Sequence, residues 1–243
     1  MVNLFKAKDH LCKIGKKLYD KGLTTATDGN LSLKIAENRL LCTPTSLCKG
    51  ELTRDDLVMV DLEGNKIAGR REPSSELRLH LAIYKQNKRI QSVLHCHPPN
   101  GLAFAATQRP IPNGVLSEVE LFLGEIPTIP YAPPGSLEFA NSIISYVDKA
   151  KVAVLANHGT VSWDTSLEKA CATTEMLESY CKVLISSGQL GEVASLTSQQ
   201  IRELIQIKKR WNLTDFREDL PLDVELSTIQ YPRVNSTPNR KNR

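Results

Sequence analysis

Leu4, Ala7, Leu11, Ile14 and Leu18 recur three or four residues apart, with Lys6, Lys13, Lys16, Lys17 and Lys21 between them. This spacing predicts an amphipathic helix with a solvated lysine face, stopped at Gly22. Beyond the turn Thr24–Asn30 the period changes from helical to two. Leu31, Leu33 and Ile35 alternate with Ser32 and Lys34, which predicts a strand. Further strands are expected at Leu40–Thr43 and Leu57–Asp61, the latter ended by Glu63-Gly64-Asn65. Ser74-Ser75 opens a helix running through Leu77, His80, Ile83 and Tyr84, and Ser92–His97 reads as a buried strand cut off by Pro98-Pro99. A short alanine-rich helix is expected at Leu102–Thr107, a mixed segment at Ser117–Leu123, a strand near Ile126–Tyr131 and a helix from Ser136 to Val147. Lys151–Ala156 and Thr160–Trp163 flank the turn Asn157-His158-Gly159. Two capping boxes close the pattern, Thr165 with Glu168 before a long helix to Ser187, and Thr197 with Gln200 before a last helix ending near Trp211. Strands alternate with helices but hairpins are present, so a mostly antiparallel sheet covered by helices is expected, in one domain over residues 1–220. Residues 221–243 are polar and aperiodic and read as a tail.

Composition narrows the function classes. The 243 residues carry 31 basic and 27 acidic side chains, a net charge of +4, and only 5% aromatics. That charge is too weak, and aromatics too sparse, to argue for nucleic acid or a membrane surface as partner. No apolar run is long enough to span a bilayer, and the N-terminus lacks the apolar core of a signal peptide, so a cytoplasmic protein is expected. The six cysteines include no C-x-x-C pair and read as small buried hydrophobes.

Histidine is the scarce chemical resource, with five in the chain. His95 and His97 end an apolar strand two residues apart, so both imidazoles leave one face while Cys96 points away. His158 ends another apolar strand beside Gly159. Three such nitrogens with an open position suit a catalytic zinc or another borderline divalent metal. His80 reads as a partly buried helix-face residue and His10 as surface. Small polar groups at Asp28-Gly29-Asn30, Thr45-Ser46 and Ser74-Ser75 could form an anion site from hydroxyls and backbone N–H groups. No Walker-type or G-x-G-x-x-G run is present.

Gly29-Asn30-Leu31-Ser32, Thr43-Pro44-Thr45, Pro73-Ser74-Ser75-Glu76, His95-Cys96-His97 and Asn157-His158-Gly159 together resemble the class II aldolase/adducin family, and within it the L-fuculose-phosphate aldolase-like enzymes. The motifs follow the family's order over about residues 3–215. The resemblance implies an α/β fold, a three-layer α/β/α sandwich with a mostly antiparallel central sheet. It implies Zn2+ held by His95, His97 and His158, with Glu76 as a fourth ligand or as the catalytic acid/base. It places a substrate phosphate among Gly29, Asn30, Thr45, Ser46, Ser74 and Ser75, held mainly by hydroxyls and backbone amides. It further implies a homotetramer with active sites between subunits. The activity implied is retro-aldol cleavage of a ketose phosphate such as L-fuculose 1-phosphate to dihydroxyacetone phosphate and an aldehyde. A 4-epimerase or a dehydratase acting on a sugar phosphate, and an adducin-like assembly module without catalysis, are the alternatives.

Three positions depart from the resembled pattern. After Ile111-Pro112, where those aldolases carry a tyrosine that protonates the aldehyde oxygen, this chain has no tyrosine, and Leu116 falls near that position. Glu118, Glu120 or Tyr131 are the substitutes the sequence offers. Ser46 stands where the family usually has glycine, and Trp211 lies where a tyrosine is common.

Overall fold

The computed structural model describes residues 3–213 together with Asp215, Arg217 and Glu218; the tail expected at 221–243 lies outside them. The first helix, α1 (Leu4–Asp20), buries Ala7, Leu11, Ile14 and Leu18, the stripe that its periodicity marks. Its N-cap Asn3 accepts from the Lys6 N–H at 3.1 Å, and the chain leaves through Gly22 at φ 68°. The strands are β1 (Asn30–Ala36), β2 (Arg39–Cys42), β3 (Val58–Val60), β4 (Lys66–Ala68), β5 (Ser92–Cys96), β6 (Thr128–Ile129), β7 (Val152–Leu155) and β8 (Gly159–Asp164). They form one eight-stranded sheet in the order β4-β3-β2-β1-β5-β8-β7-β6, antiparallel except where β6 pairs with β7. The other helices are α2 (Leu77–Gln86), α3 (Pro99–Thr107), α4 (Ser117–Phe122), α5 (Leu137–Ser142), α6 (Leu167–Ser187) and α7 (Ser198–Arg210).

The alternation within strands decides the layers. Val93, Val161 and Trp163 face a core shared with α2 and α5. Leu31, Leu94 and Cys96 point the other way, into a core with α1 and α6, and Val152 and Val154 meet α3, α4 and α6 in a third. The result is helices on both faces of a mostly antiparallel sheet, the α/β/α sandwich that the sequence led us to expect.

Several local expectations need correction. β4 is an additional edge strand, three exposed residues long, whose alternation is too short to register as a pattern. α2 starts at Leu77 with Glu76 as N-cap, so Ser74 and Ser75 lie in the loop before it. The segment expected as one helix from Ser136 to Val147 breaks after Ser142, whose hydroxyl donates to the Phe139 carbonyl at 2.8 Å, and resumes as a 3₁₀ turn at Ile144–Tyr146. The capping box at Thr165 and Glu168 is not formed. Ser166 caps α6, accepting from the Lys169 N–H at 3.3 Å, while the hydroxyl of Thr165 is drawn to Asp164 Oδ1 at 3.0 Å. The box at Thr197 and Gln200 forms in both directions. His80 is wholly buried, its Nδ1 2.7 Å from Ser32 Oγ, and burial pushes its pKa down to about 4.

Candidate active site

The site lies where three strand ends and one helix start converge. Pairing of β1 with β5 sets Asn30 opposite His95, and pairing of β5 with β8 sets Cys96 opposite Thr160. The β7–β8 turn then carries His158 beside the His95–His97 pair, and Glu76 approaches from the N-terminus of α2 on the same sheet face. The donor atoms of His95, His97 and His158 all lie within 4.8 Å of one another, so the three could hold one metal ion.

Each histidine is oriented by something other than its neighbours. His95 donates from Nδ1 to the Thr160 carbonyl at 2.9 Å, which leaves Nε2 facing His97 Nε2 at 3.0 Å and Glu76 Oε2 at 3.2 Å. A backbone carbonyl on the far ring nitrogen is the usual way to fix the tautomer of a ligating imidazole. Burial pushes His95 down to about 3 and lowers His97 as well, so both rings are neutral near pH 7, the state that can ligate. His97 Nδ1 lies 3.6 Å from Asp28 Oδ2. His158 Nε2 sits 3.0 Å from Glu76 Oε1. Two glycines are required by this crowding. A Cβ on Gly159 would lie 2.7 Å from the His97 ring and 2.9 Å from the His95 ring. One on Gly29, at φ 68°, would lie 2.7 Å from the His95 carbonyl oxygen.

Glu76 is the carboxylate that the histidines share. Burial alone would raise its pKa, but the hydrogen bond from His158, the charges of His95 and His158 and the Asn30 amide outweigh it and hold the group at about 2. Asn30 Nδ2 donates to Glu76 Oε2 at 2.8 Å. Among the described residues, the buried Asn30 Oδ1 and His158 Nδ1, both on residues that line the adjoining cavity, have no hydrogen-bond partner. Buried polar atoms left unpaired beside a cavity suit a ligand. Imidazoles converging on one point, a shared carboxylate and a backbone cradle that admits only glycine fit a divalent metal.

Beside the histidines opens a cavity of about 210 Å³, lined by Thr27–Asn30, Pro44–Ser46, Lys49, Ser74–Glu76, His97 and His158. An antiparallel bridge between Pro44 and Pro73 draws the two hydroxyl-bearing loops together. All six residues expected at a phosphate, Gly29, Asn30, Thr45, Ser46, Ser74 and Ser75, line it. Ser46 takes φ 53°, a left-handed conformation that glycine adopts freely and serine at a cost of roughly 1–2 kcal/mol. The candidates for a second acid line no part of this cavity in the chain. Leu116 packs into the third core, Tyr131 and Glu118 are exposed, and the buried Glu120 is bound to Arg217 at 2.7 Å. His10 pairs with Glu168 at the surface. Lys49 is what the sequence reading missed, because a single lysine between Cys48 and Gly50 carries no pattern; Asp28 is legible as part of the Asp28-Gly29-Asn30 turn, but not its approach to His97.

Comparison with known proteins settles the family. Residues 9–185 match the Class II Aldolase and Adducin N-terminal domain. The chain belongs to that family. It is 32% identical to a 3-oxo-tetronate 4-phosphate decarboxylase of Haemophilus influenzae, over 81% of this chain and 95% of the other. It is 36% identical to an L-fuculose phosphate aldolase of Methanococcus maripaludis, over 68% and 89%. Among solved structures, YgbL of Klebsiella pneumoniae superposes with a TM-score of 0.79 at 31% identity, covering 84% of this chain and all of the other. An L-fuculose 1-phosphate aldolase superposes with a TM-score of 0.77 at 27% identity, covering 85% and 96%. Class II aldolases generally depend on a divalent metal, the named relatives act on sugar phosphates, and no helix among the described residues is long and apolar enough to cross a membrane.

Proposed function

We propose that this chain is a zinc-dependent carbon–carbon lyase that generates the enediolate of dihydroxyacetone phosphate, the metal held by His95, His97 and His158. The observation that carries this reading is the three convergent imidazoles and one ionised carboxylate at the mouth of a hydroxyl-lined cavity. A bound divalent ion supplies a fixed positive charge that stabilises negative charge developing on adjacent substrate oxygens, so no Schiff-base lysine is needed. The chain's own groups do the rest. Thr45, Ser46, Ser74, Ser75 and the Gly29 loop bind the phosphate and so fix the substrate carbon chain relative to the histidines. Asn30 holds Glu76 Oε2, and Glu76 moves the proton that enters or leaves the enediolate carbon.

The two kinds of named relative converge on the same fragment. Cleavage of L-fuculose 1-phosphate between C3 and C4 leaves an aldehyde and this three-carbon enediolate. Loss of the carboxyl carbon of a 3-oxo-tetronate 4-phosphate as CO2 leaves the same enediolate. Aldol cleavage is our first reading. Decarboxylation is favoured at one point: it leaves no aldehyde oxygen to be managed by an acid, and Leu116 supplies none. In the aldolase reading the second acid is contributed by a neighbouring subunit of a homotetramer.

The test is exchange. Zinc-loaded protein incubated with dihydroxyacetone phosphate in D2O is expected to exchange one C3 proton, followed by proton NMR. His95→Ala is expected to lose both the ion, by elemental analysis, and the exchange. No exchange by metal-loaded protein refutes the enediolate reading. Product formation from an aldehyde panel, set against CO2 release from 3-oxo-tetronate 4-phosphate, then separates the two activities.

A further inference from the structure

Lys49 is the only lysine or arginine among the described residues lining the cavity, and its side chain is almost wholly buried, at 1% exposure. It begins a 3₁₀ turn (Lys49–Glu51) packed beneath α1, where its carbonyl lies 3.0 Å from the Cβ position of Gly15. Its Nζ donates to the Thr27 carbonyl at 2.8 Å and to the Leu47 carbonyl at 2.6 Å. Those carbonyls belong to the two loops that carry Gly29–Asn30 and Thr45–Ser46, so the ammonium sits between the halves of the hydroxyl cradle. An ammonium has three donors, and two are engaged here. Both acceptors are neutral carbonyls, and no carboxylate of the described residues forms an ion pair with it. Burial accordingly lowers its pKa, the nearby charge of Asp28 opposing the shift. A buried cation without a counter-ion is costly, and Lys49 lines a cavity that an anion could enter.

We propose that Lys49 is the fixed positive charge of the cradle, its third N–H donating to a phosphate oxygen of the substrate. This rests on the reading of the cavity as a sugar-phosphate site. It changes that reading in one respect, since the anion is held by a desolvated point charge as well as by hydroxyls and amides. Lysine suits the task because it binds phosphate as a compact charge, with no need for the planar fork of arginine. A charge also sets a preference for the phosphate dianion over the monoanion, which hydroxyls alone do not.

The experiment is titration of the zinc-loaded protein with inorganic phosphate by calorimetry, at pH values on either side of the second phosphate pKa. Wild type is expected to bind the dianion more tightly than the monoanion. Lys49→Met and Lys49→Gln are expected to bind phosphate roughly 10- to 100-fold more weakly and to lose the dianion preference, with zinc content unchanged. Wild-type affinity and preference in either variant, with only a lowered melting temperature, overturns the proposal and leaves Lys49 as a staple between two loops. Absence of phosphate binding by wild type instead defeats the sugar-phosphate reading itself, and this inference with it. Should neither variant fold, a crystal structure of wild type with phosphate decides. An oxygen about 3 Å from Nζ supports the assignment, and phosphate seated elsewhere overturns it.

Discussion

Two clusters of charge are buried in this chain, and they are built on opposite principles. Around Glu120, every group answers another. Arg217 Nη2 meets Glu120 Oε2 at 2.7 Å and Asp215 Oδ2 at 2.8 Å, Lys208 Nζ meets Asp215 Oδ2 at 2.7 Å, and the Gly114 N–H fills Glu120 Oε1 at 2.6 Å. Two carboxylates and two cations close on themselves and tie α4, α7 and the segment after it together. Around Glu76 the accounts do not close. Imidazole nitrogens converge to 3.0 Å, the buried Asn30 Oδ1 and His158 Nδ1 have no hydrogen-bond partner among the described residues, and Lys49 lines the cavity while donating to backbone carbonyls. The difference teaches that buried charge alone does not mark a functional site. A cluster that satisfies itself is a clamp, and one left incomplete is arranged for a ligand.

Substitutions can break the comparison, because the two clusters are expected to fail differently. The largest effect is expected of Glu76→Gln, which keeps the shape and one acceptor but cannot move a proton. Exchange of dihydroxyacetone phosphate in D2O is expected to slow by about 10²–10⁴-fold with the melting temperature little changed. A large loss of stability with exchange intact would make Glu76 a clamp as well. Arg217→Met is the mirror experiment. It leaves buried carboxylates without their partner, and a loss of about 3–5 kcal/mol in urea unfolding is expected, with turnover per folded molecule preserved. Equal loss of turnover would join the two regions that the comparison separates.

Acid sharpens the contrast further. Burial raises the Asp215 carboxyl, but its bonds and charges with Arg217 and Lys208 outweigh this and hold it well below the usual carboxylate range. A depressed folded-state pKa means that its stabilisation is complete above the ordinary value of about 3.9 and is lost as pH falls below it. The stability gap between wild type and Arg217→Met is therefore expected to shrink in urea melts taken from pH 6 down to pH 3. A gap that widens would contradict the assignment. The smallest effect is expected at the exposed start of α7. Thr197→Ala removes the cap of α7 and is expected to cost about 1 kcal/mol without altering exchange.

Much of this organisation is legible in the chain. The stripe Leu4–Leu18 and the alternations Leu31–Ile35 and Ser92–His97 mark their elements because a helix or strand must bury one face, and that requirement is written at fixed spacing. His95 and His97 are legible as a pair for the same reason, His158 as the end of another apolar strand and the hydroxyl pairs as small polar groups at turns, and Glu76 through the resemblance to the family. Errors fall where two local signals compete. Thr165 and Ser166 are both competent caps, and the neighbouring Asp164 carboxylate draws the hydroxyl of Thr165 away. His80 shows the limit of a face reading. One histidine on an amphipathic helix looks half-exposed until Ser32 and Tyr84 enclose it.

By itself, then, the sequence determined the element types, the layered α/β character and the identity of the groups available for chemistry. Only the tertiary structure decided which of those groups meet. The pairing of β1 with β5 and of β5 with β8 brings residues 30, 95 and 161 into one row, and the Pro44–Pro73 bridge brings the two hydroxyl-bearing loops together. Lys49 becomes a buried charge at the cavity because α1 packs over it, and Glu120 is withdrawn from any proton transfer because Arg217 reaches it. The physical reason is range. Periodicity records which face of one element is buried, whereas a site is assembled from contacts between elements far apart in the chain, and no local spacing encodes those.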